Sequence, residues 1–227
     1  ETLYANSILT SRGPRWFTGL PMGDVRVAKM GKGTVTWEGE TSSASSAGQT
    51  FSSILLQPKR LTAYVDISKK FILQDTDGAE MAIRRDLING INNKLEATVF
   101  GYADVSATQP AGLFFGKTLS DATTFAKVCG IEGNLDDANV SNIKYALSAK
   151  AKADLRAMAK SNKLTQLVLE GGTVDGVPVF VSSNVKDSAA TTKGAYIVGD
   201  WSNLAIGSWG DIEITVDPYT KSIDGCI

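Results

Sequence analysis

One run constrains the fold more than any other: residues 78–100, GAEMAIRRDLINGINNKLEATVF. Ile83, Leu87, Ile88, Ile91, Leu95 and Val99 recur at helical spacing and gather on one face, while Arg84, Arg85, Asn89, Asn92, Asn93 and Glu96 fall elsewhere. Asp77 and Glu80 have the spacing of a capping box, and Asp75–Gly78 supplies a turn ahead of it. At about 1.5 Å per residue the helix is a rod of roughly 33 Å. Such a rod can lie along a sheet but is too long to be enclosed by a small core.

The segments before it read as extended chain. Residues 23–40 alternate apolar and polar positions around Gly31-Lys32-Gly33, as a local hairpin would. TSSASSAGQT (41–50) is small and polar and cannot build a core, so it reads as a linker or a loop reaching a partner. Strand character resumes over 50–68, with Leu61, Ala63, Val65 and Ile67 alternating against Thr62, Tyr64, Asp66 and Ser68. Two extended arms around a soft tip predict a protruding hairpin. After the helix the texture is mixed. A short helix is predicted near 121–129, a strand at 142–148, and a helix over 149–161 packing through Ala153, Leu155 and Met158. QLVLEGG, VPVFVSS and AYIVG supply further strands, and 202–223 reads as two strands about a Gly-Asp turn, with Ile212, Ile214 and Val216 alternating. No internal repeat stands out.

Composition removes whole function classes. The 227 residues include no histidine, so the usual general base, the usual zinc ligand and every Ser/His or Cys/His pair are missing. The 23 basic and 24 acidic residues are interspersed, with no basic block to grip nucleic acid. No apolar run approaches the roughly 18–20 residues that cross a bilayer, so no membrane association is expected. Cys129 and Cys226 fit no metal spacing; a single disulfide between them stays open, but so few thiols in a long chain read as an intracellular product. The chain begins at Glu1, which predicts processing or a preceding segment.

Candidate chemical motifs dissolve on inspection. AGLFFGKT (111–118) has Gly116-Lys117-Thr118 but Ala111 where a phosphate loop needs its first glycine, so Phe114 and Phe115 are expected to anchor a connection into the core. Asp75-Thr-Asp77-Gly78 lacks the later ligands of a calcium loop. Asp136-Asp137 and Asp211/Glu213 have no neighbouring base, Ser208 lacks a nucleophile elbow, and Asn139-Val-Ser141 is a sequon that arises by chance. Trp16, Trp37, Trp201 and Trp209 are scattered and read as core or interface anchors. In EGGTVDGVPVFVSS (170–183), Gly171-Gly172 and Asp175-Gly176 are turns, with Gly176 free to take positive φ and Pro178 suited to a strand start or edge. No catalytic, cofactor or metal site emerges.

In order, these pieces resemble the major capsid proteins of tailed bacteriophages, the fold first described for the Hong Kong ninety-seven phage. The resemblance rests on LTAYVDISKKFILQD (61–75) leading into the helix 79–101, QPAGLFF (109–115), GGTVDGVPVFVSSNV (171–185) and VGDWSNLAIGSWGDIEITVDPYT (198–220). It implies an α+β chain with an N-terminal arm (1–36), an extended E-loop hairpin (37–60), a peripheral domain with a spine helix (61–116), an axial αβ domain (117–197) and a returning peripheral hairpin (198–227). It implies self-assembly into hexamers and pentamers of an icosahedral head enclosing DNA without sequence-specific binding. A scaffold segment, maturation protease and portal are the implied partners, and the virion, assembled in the bacterial host cytoplasm, the implied location. Trp37, Glu38, Phe51, Ile54, Leu55, Leu56, Arg84 and Arg85 are the candidate assembly contacts.

Some family members crosslink an E-loop lysine to an asparagine of a neighbour. Here 38–58 holds no lysine, Lys59 sits at the loop base, and 211–227 holds no asparagine, so noncovalent contacts are expected. Two other readings compete: an encapsulin-like shell around a cargo enzyme, and an αβ enzyme using carboxylates or Lys117.

Overall fold

The computed structural model describes Leu9 and residues 13–31, 33–43, 45–46, 48–74, 78–137, 140, 142–160, 166–187, 194–210 and 213–217. In chain order its elements are β1 (Arg15–Phe17), β2 (Val25–Met30), β3 (Phe51–Leu56), α1 (Lys69–Gln74), α2 (Ala79–Val99), α3 (Phe125–Asp137), β4 (Ile143–Leu147), α4 (Ala149–Ala157), β5 (Leu169–Glu170), β6 (Thr173–Val174), β7 (Val177–Val181), β8 (Tyr196–Asp200), a 3-10 turn (Trp201–Asn203) and β9 (Ala205–Gly207). They form two compact units, one of Trp16–Pro58 with Ile206–Glu213, the other of Lys59–Ala205 with residues from the chain ends.

In the smaller unit β2 and β3 form an antiparallel ribbon, in register from Val25↔Leu56 to Met30↔Phe51. This corrects the local hairpin expected over 23–40: the turn after Met30 does not return on itself, and 33–38 carries no strand. The ladder closes instead at Gly31 N–H to the Thr50 carbonyl, 2.8 Å, around the polar tip. β1 pairs with β9, extended by Ser208 N–H to the Phe17 carbonyl (2.8 Å) and Leu20 N–H to the Ser208 carbonyl (3.2 Å). That pairing replaces the two-strand return expected for the tail: 213–217 carries no strand, and Asp211 and Ile212 lie outside the described residues. Trp209 Nε1 donates to the Gly23 carbonyl at 2.8 Å, fixing one tryptophan as an anchor.

The larger unit is built on a five-stranded sheet of order β5-β6-β7-β4-β8, with β4 parallel to β7 and antiparallel to β8. β4 is flanked on both sides, and its Tyr145, Ala146 and Leu147 are wholly buried. With Val128 of α3, Ala151 and Leu155 of α4, and Val168, Leu169 and Val174, Tyr145 and Leu147 make the core. The helix over 149–161 therefore ends earlier than expected and packs through Ala151, while Ala153 faces outward. Ser148 starts it, its hydroxyl accepting from Ala151 N–H (3.1 Å) and Ala195 N–H (3.0 Å). A second cluster joins Phe100, Phe180 and Trp201, with ring centroids 5.3–5.9 Å apart in tilted and edge-on pairs.

The glycine-rich stretch is two successive tight hairpins. Gly171 (φ 59°) and Gly172 (φ 83°) join β5 to β6, and Asp175 (φ 47°) and Gly176 (φ 89°) join β6 to β7. Both central residues of each turn have positive φ, the two-residue geometry that matches strand twist. Pro178 precedes the ladder with β4, which begins at Val179, so its missing N–H leaves no gap there.

The long helix is present as α2, but three details differ from expectation. Its N-cap is Gly78 with no side-chain cap, and Glu80 turns instead to Arg84; Asp75 and Asp77 lie outside the described residues. Its apolar positions Ile83, Leu87, Ile88, Ile91, Leu95 and Val99 are only partly buried. Among the described residues its two buried side chains are polar ones, Asn92 at 7% and Glu96 at 8% exposure. The strand expected over 61–68 is not one, and α1 follows it without having been expected. Beyond α2, Gly112 passes so close to Gly101 that a Cβ on Gly112 would run into the Gly101 carbonyl. Phe114 is buried there while Phe115 is exposed, so one phenylalanine of the pair anchors the connection. Cys226 and the sequon at Asn139 and Ser141 lie outside the described residues.

Candidate assembly surfaces

The β2–β3 ribbon presents two faces, because side chains alternate along each strand. One carries Arg26, Ala28 and Met30 opposite Leu55, Ser53 and Phe51, and every one of these is exposed. Phe51 is 75% and Met30 64% exposed, side by side at the distal end. The other carries Val25, Val27, Ile54 and Leu56, of which Ile54 is about half exposed and Leu56 partly buried. A lone two-stranded ribbon is marginal in water, and apolar side chains on both faces make it more so. Met30 was absent from the candidate contacts, and the alternation over 25–30 sets it with Arg26 and Ala28 rather than with Val25 and Val27, so no local signal marks it.

Beyond the ribbon, Trp37 is fully exposed. Next to it the Glu38 carboxylate accepts from Thr36 Oγ1 (2.9 Å) and from the Ser45 hydroxyl, and these bonds hold its pKa below the usual carboxylate value. Trp37 and Glu38 are both exposed and open to a partner. On α2, Arg84 is tied to Glu80 at 2.6 Å, whereas Arg85 is exposed one residue further on. Trp37, Glu38, Phe51, Ile54, Leu55 and Leu56 thus fall in one unit, and Arg84 and Arg85 in the other. Because the paired arms reach back to Val25, the ribbon also contains Lys29, a lysine that the count over 38–58 missed. Lys59 donates its amine to the Ala107 carbonyl at 3.2 Å.

Polar side chains also meet inside the larger unit. Asn184 donates to Asn93 Oδ1 (2.7 Å) and to Glu96 Oε2 (3.4 Å), tying the chain after β7 to α2. A small cavity of about 150 Å³ nearby is lined by Ala97, Gly101, Tyr102, Ala103, Asn184 and Lys186. Over the sheet, the Tyr145 hydroxyl donates to Glu132 of α3. Burial raises the Glu132 carboxyl above its usual value and pushes the Tyr196 phenol up to about 12 and Tyr145 further still. Among the described residues there is no cluster of acids and thiols able to hold a metal ion, and no helix long and apolar enough to cross a membrane.

A family model described as the phage capsid family matches residues 16–227. The chain belongs to the phage capsid family. A curated relative, the major capsid protein of Halomonas phage phiHAP-1, is 24% identical over 236 residues, covering all of this chain and 38% of its own length. This capsid-family chain therefore spans well under half of that relative. The fold resembles the capsid of a native GTA particle, with TM-score 0.69 and 18% identity over 97% of this chain and 81% of that one. It also resembles a structure from Microbacterium phage Oxtober96, with TM-score 0.64 and 15% identity over 90% and 73%. The family match and the fold likeness agree on an α+β capsid fold and do not favour the encapsulin-like reading.

Proposed function

We propose that this chain is the assembling body of a phage major capsid protein, associating with copies of itself into the hexamers and pentamers of an icosahedral, DNA-filled head. The observation that carries the reading is the β2–β3 ribbon, whose Met30, Phe51, Ile54 and Leu55 are exposed on a two-stranded element too slight to shelter them. A shell distributes its energy over many repeated contacts between identical copies, and a ribbon of this kind gains most when laid on a neighbour. Trp37 and Glu38 at the loop, Leu56 at the ribbon base, and Arg84 and Arg85 on α2 complete the contact set, with Glu38 and Arg85 of opposite charge.

The domain assignment follows the same reading: arm 1–36, E-loop 37–60, peripheral domain 61–116 and 198–227, axial domain 117–197. The ribbon's β2 arm extends the E-loop into the segment assigned to the arm. Assembly in the host cytoplasm, a scaffold segment, a maturation protease, a portal and DNA held without sequence reading are the remaining elements. The near-balanced charge of 23 basic and 24 acidic residues limits repulsion among copies. Electron microscopy and sedimentation of the full-length product, alone and with scaffold and protease supplied, test the proposal. Closed shells or capsomers are expected; monomers under every condition overturn it.

A further inference from the structure

Two runs carry the chemistry of strands without forming any. Residues 60–65 (RLTAYV) and 213–217 (EITVD) alternate and are rich in β-branched and aromatic side chains. Neither belongs to a sheet, and every residue of both is exposed. Among the described residues, no backbone–backbone hydrogen bond is made by 60–65 or 213–216. The first run is held at both ends, by the Lys59 amine on the Ala107 carbonyl at 3.2 Å and by α1. The second follows the anchored pairing of Ser208 with Phe17. Open N–H and C=O groups on a β-prone run are a template for another strand.

The two runs complement each other. Laid antiparallel, they set Arg60 opposite Asp217, Leu61 opposite Val216, Thr62 opposite Thr215, Ala63 opposite Ile214 and Tyr64 opposite Glu213. One face of that ladder is wholly apolar, and the other carries opposite charges and a Thr–Thr pair, all favourable across strands. A slip of two residues, with Val65 on Ile214, would set Asp66 against Glu213. A slip of one turns every apolar side chain to the other face. Thr62 meets Thr215 in the parallel direction as well, but antiparallel ladders are the more stable per residue.

We propose that residues 60–64 of one copy pair with residues 213–217 of the next, as an antiparallel ladder that joins subunits. Within a single chain the two runs do not pair, so each turns its open backbone outward, and a second copy brings the run that matches it in charge and register. The junction rests on the assembly reading above and adds to it the segments that meet. Because two different runs meet, each subunit both gives and receives, and a closed body results where the rotation between copies closes.

The test traps the ladder with cysteines in assembly reactions of the full chain. Chains carrying Thr62→Cys are mixed with chains carrying Thr215→Cys, oxidised mildly and mapped by peptide mass, which tells links through the native Cys129 and Cys226 apart. A 62–215 disulfide between chains is expected, about tenfold or more above the yield when Leu61→Cys, on the opposite face, replaces Thr62→Cys. Shells seen by electron microscopy without that disulfide overturn the junction and leave the assembly reading standing; neither shells nor disulfide overturns both. A link formed only inside single chains of the double variant puts the pairing within one copy and also overturns the junction. Wild-type hydrogen exchange decides without any variant: amides of 60–64 and 213–217 are expected to exchange about tenfold or more slowly in shells than in the unassembled chain. Equal rates in the two states overturn the junction.

Discussion

Replacing Phe51 by serine separates folding from assembly. Phe51 is 75% exposed, so the isolated chain has little to lose from its removal. A surface substitution of this kind moves stability by about 0.5 kcal/mol or less. If the Phe51 face docks on a neighbour, the exposed portion of the ring, about 150 Å² of a typical phenylalanine, leaves water. At about 25 cal/mol per Å² that is roughly 3–4 kcal/mol per copy, most of which serine forfeits. A loss of about 3 kcal/mol weakens each contact by more than a hundredfold, and the contact recurs in every subunit. The assay pairs thermal unfolding of the unassembled chain with sedimentation and electron microscopy of assembly reactions. F51S is expected to melt within about 2 °C of wild type and to give few or no shells, while F51L, which keeps most of the apolar area, assembles. Normal assembly of F51S, or a melting point lowered by many degrees, refutes the reasoning: the first frees the ribbon face from any role, the second makes Phe51 a folding residue.

Other substitutions probe the larger unit. Gly112→Ala places a methyl against the Gly101 carbonyl, and urea unfolding is expected to register a loss of about 2–3 kcal/mol as the backbone shifts. Asn92→Leu removes an amide whose nitrogen and oxygen are both buried without a hydrogen-bond partner; a gain of about 1–3 kcal/mol, visible as a melting point raised by several degrees, is expected. Trp201→Phe removes the Nε1 bond to the Lys144 carbonyl (3.1 Å) and thins the cluster with Phe100 and Phe180. Denaturant titration should show a loss of about 2 kcal/mol.

The sequence was most informative where local chemistry decides structure. Asp175-Gly176 between alternating apolar residues specifies a tight turn, and the chain makes one. The helix α2 is legible because 21 residues of sustained periodicity leave no other element able to use them. Partner choice was less legible. Alternation over 25–30 identifies a strand but not its mate, and closure entropy grows too slowly with loop length to force the nearest turn. Hence β2 crosses the 41–50 segment to reach Phe51–Leu56, and no local rule points there. The buried Glu96 was illegible for a related reason: its donor, Asn184, lies 88 positions further along the chain.

The candidate contacts were legible only through the resemblance, since an exposed Phe51 and a buried one read alike in sequence. What distinguishes them is that none of the described residues forms a third layer over the ribbon face, which only the arrangement of strands reveals. The helix α2 carries the same signature in weaker form. Its six apolar positions are each only partly buried, yet its Asn92 and Glu96 are enclosed. A helix optimised for this chain alone would invert that assignment, since an apolar stripe contributes most when fully covered and a buried amide costs free energy unless paired. Ribbon and helix therefore leave apolar surface open on separate units of one chain. That arrangement fits the proposed assembly, in which a neighbouring copy covers such surface.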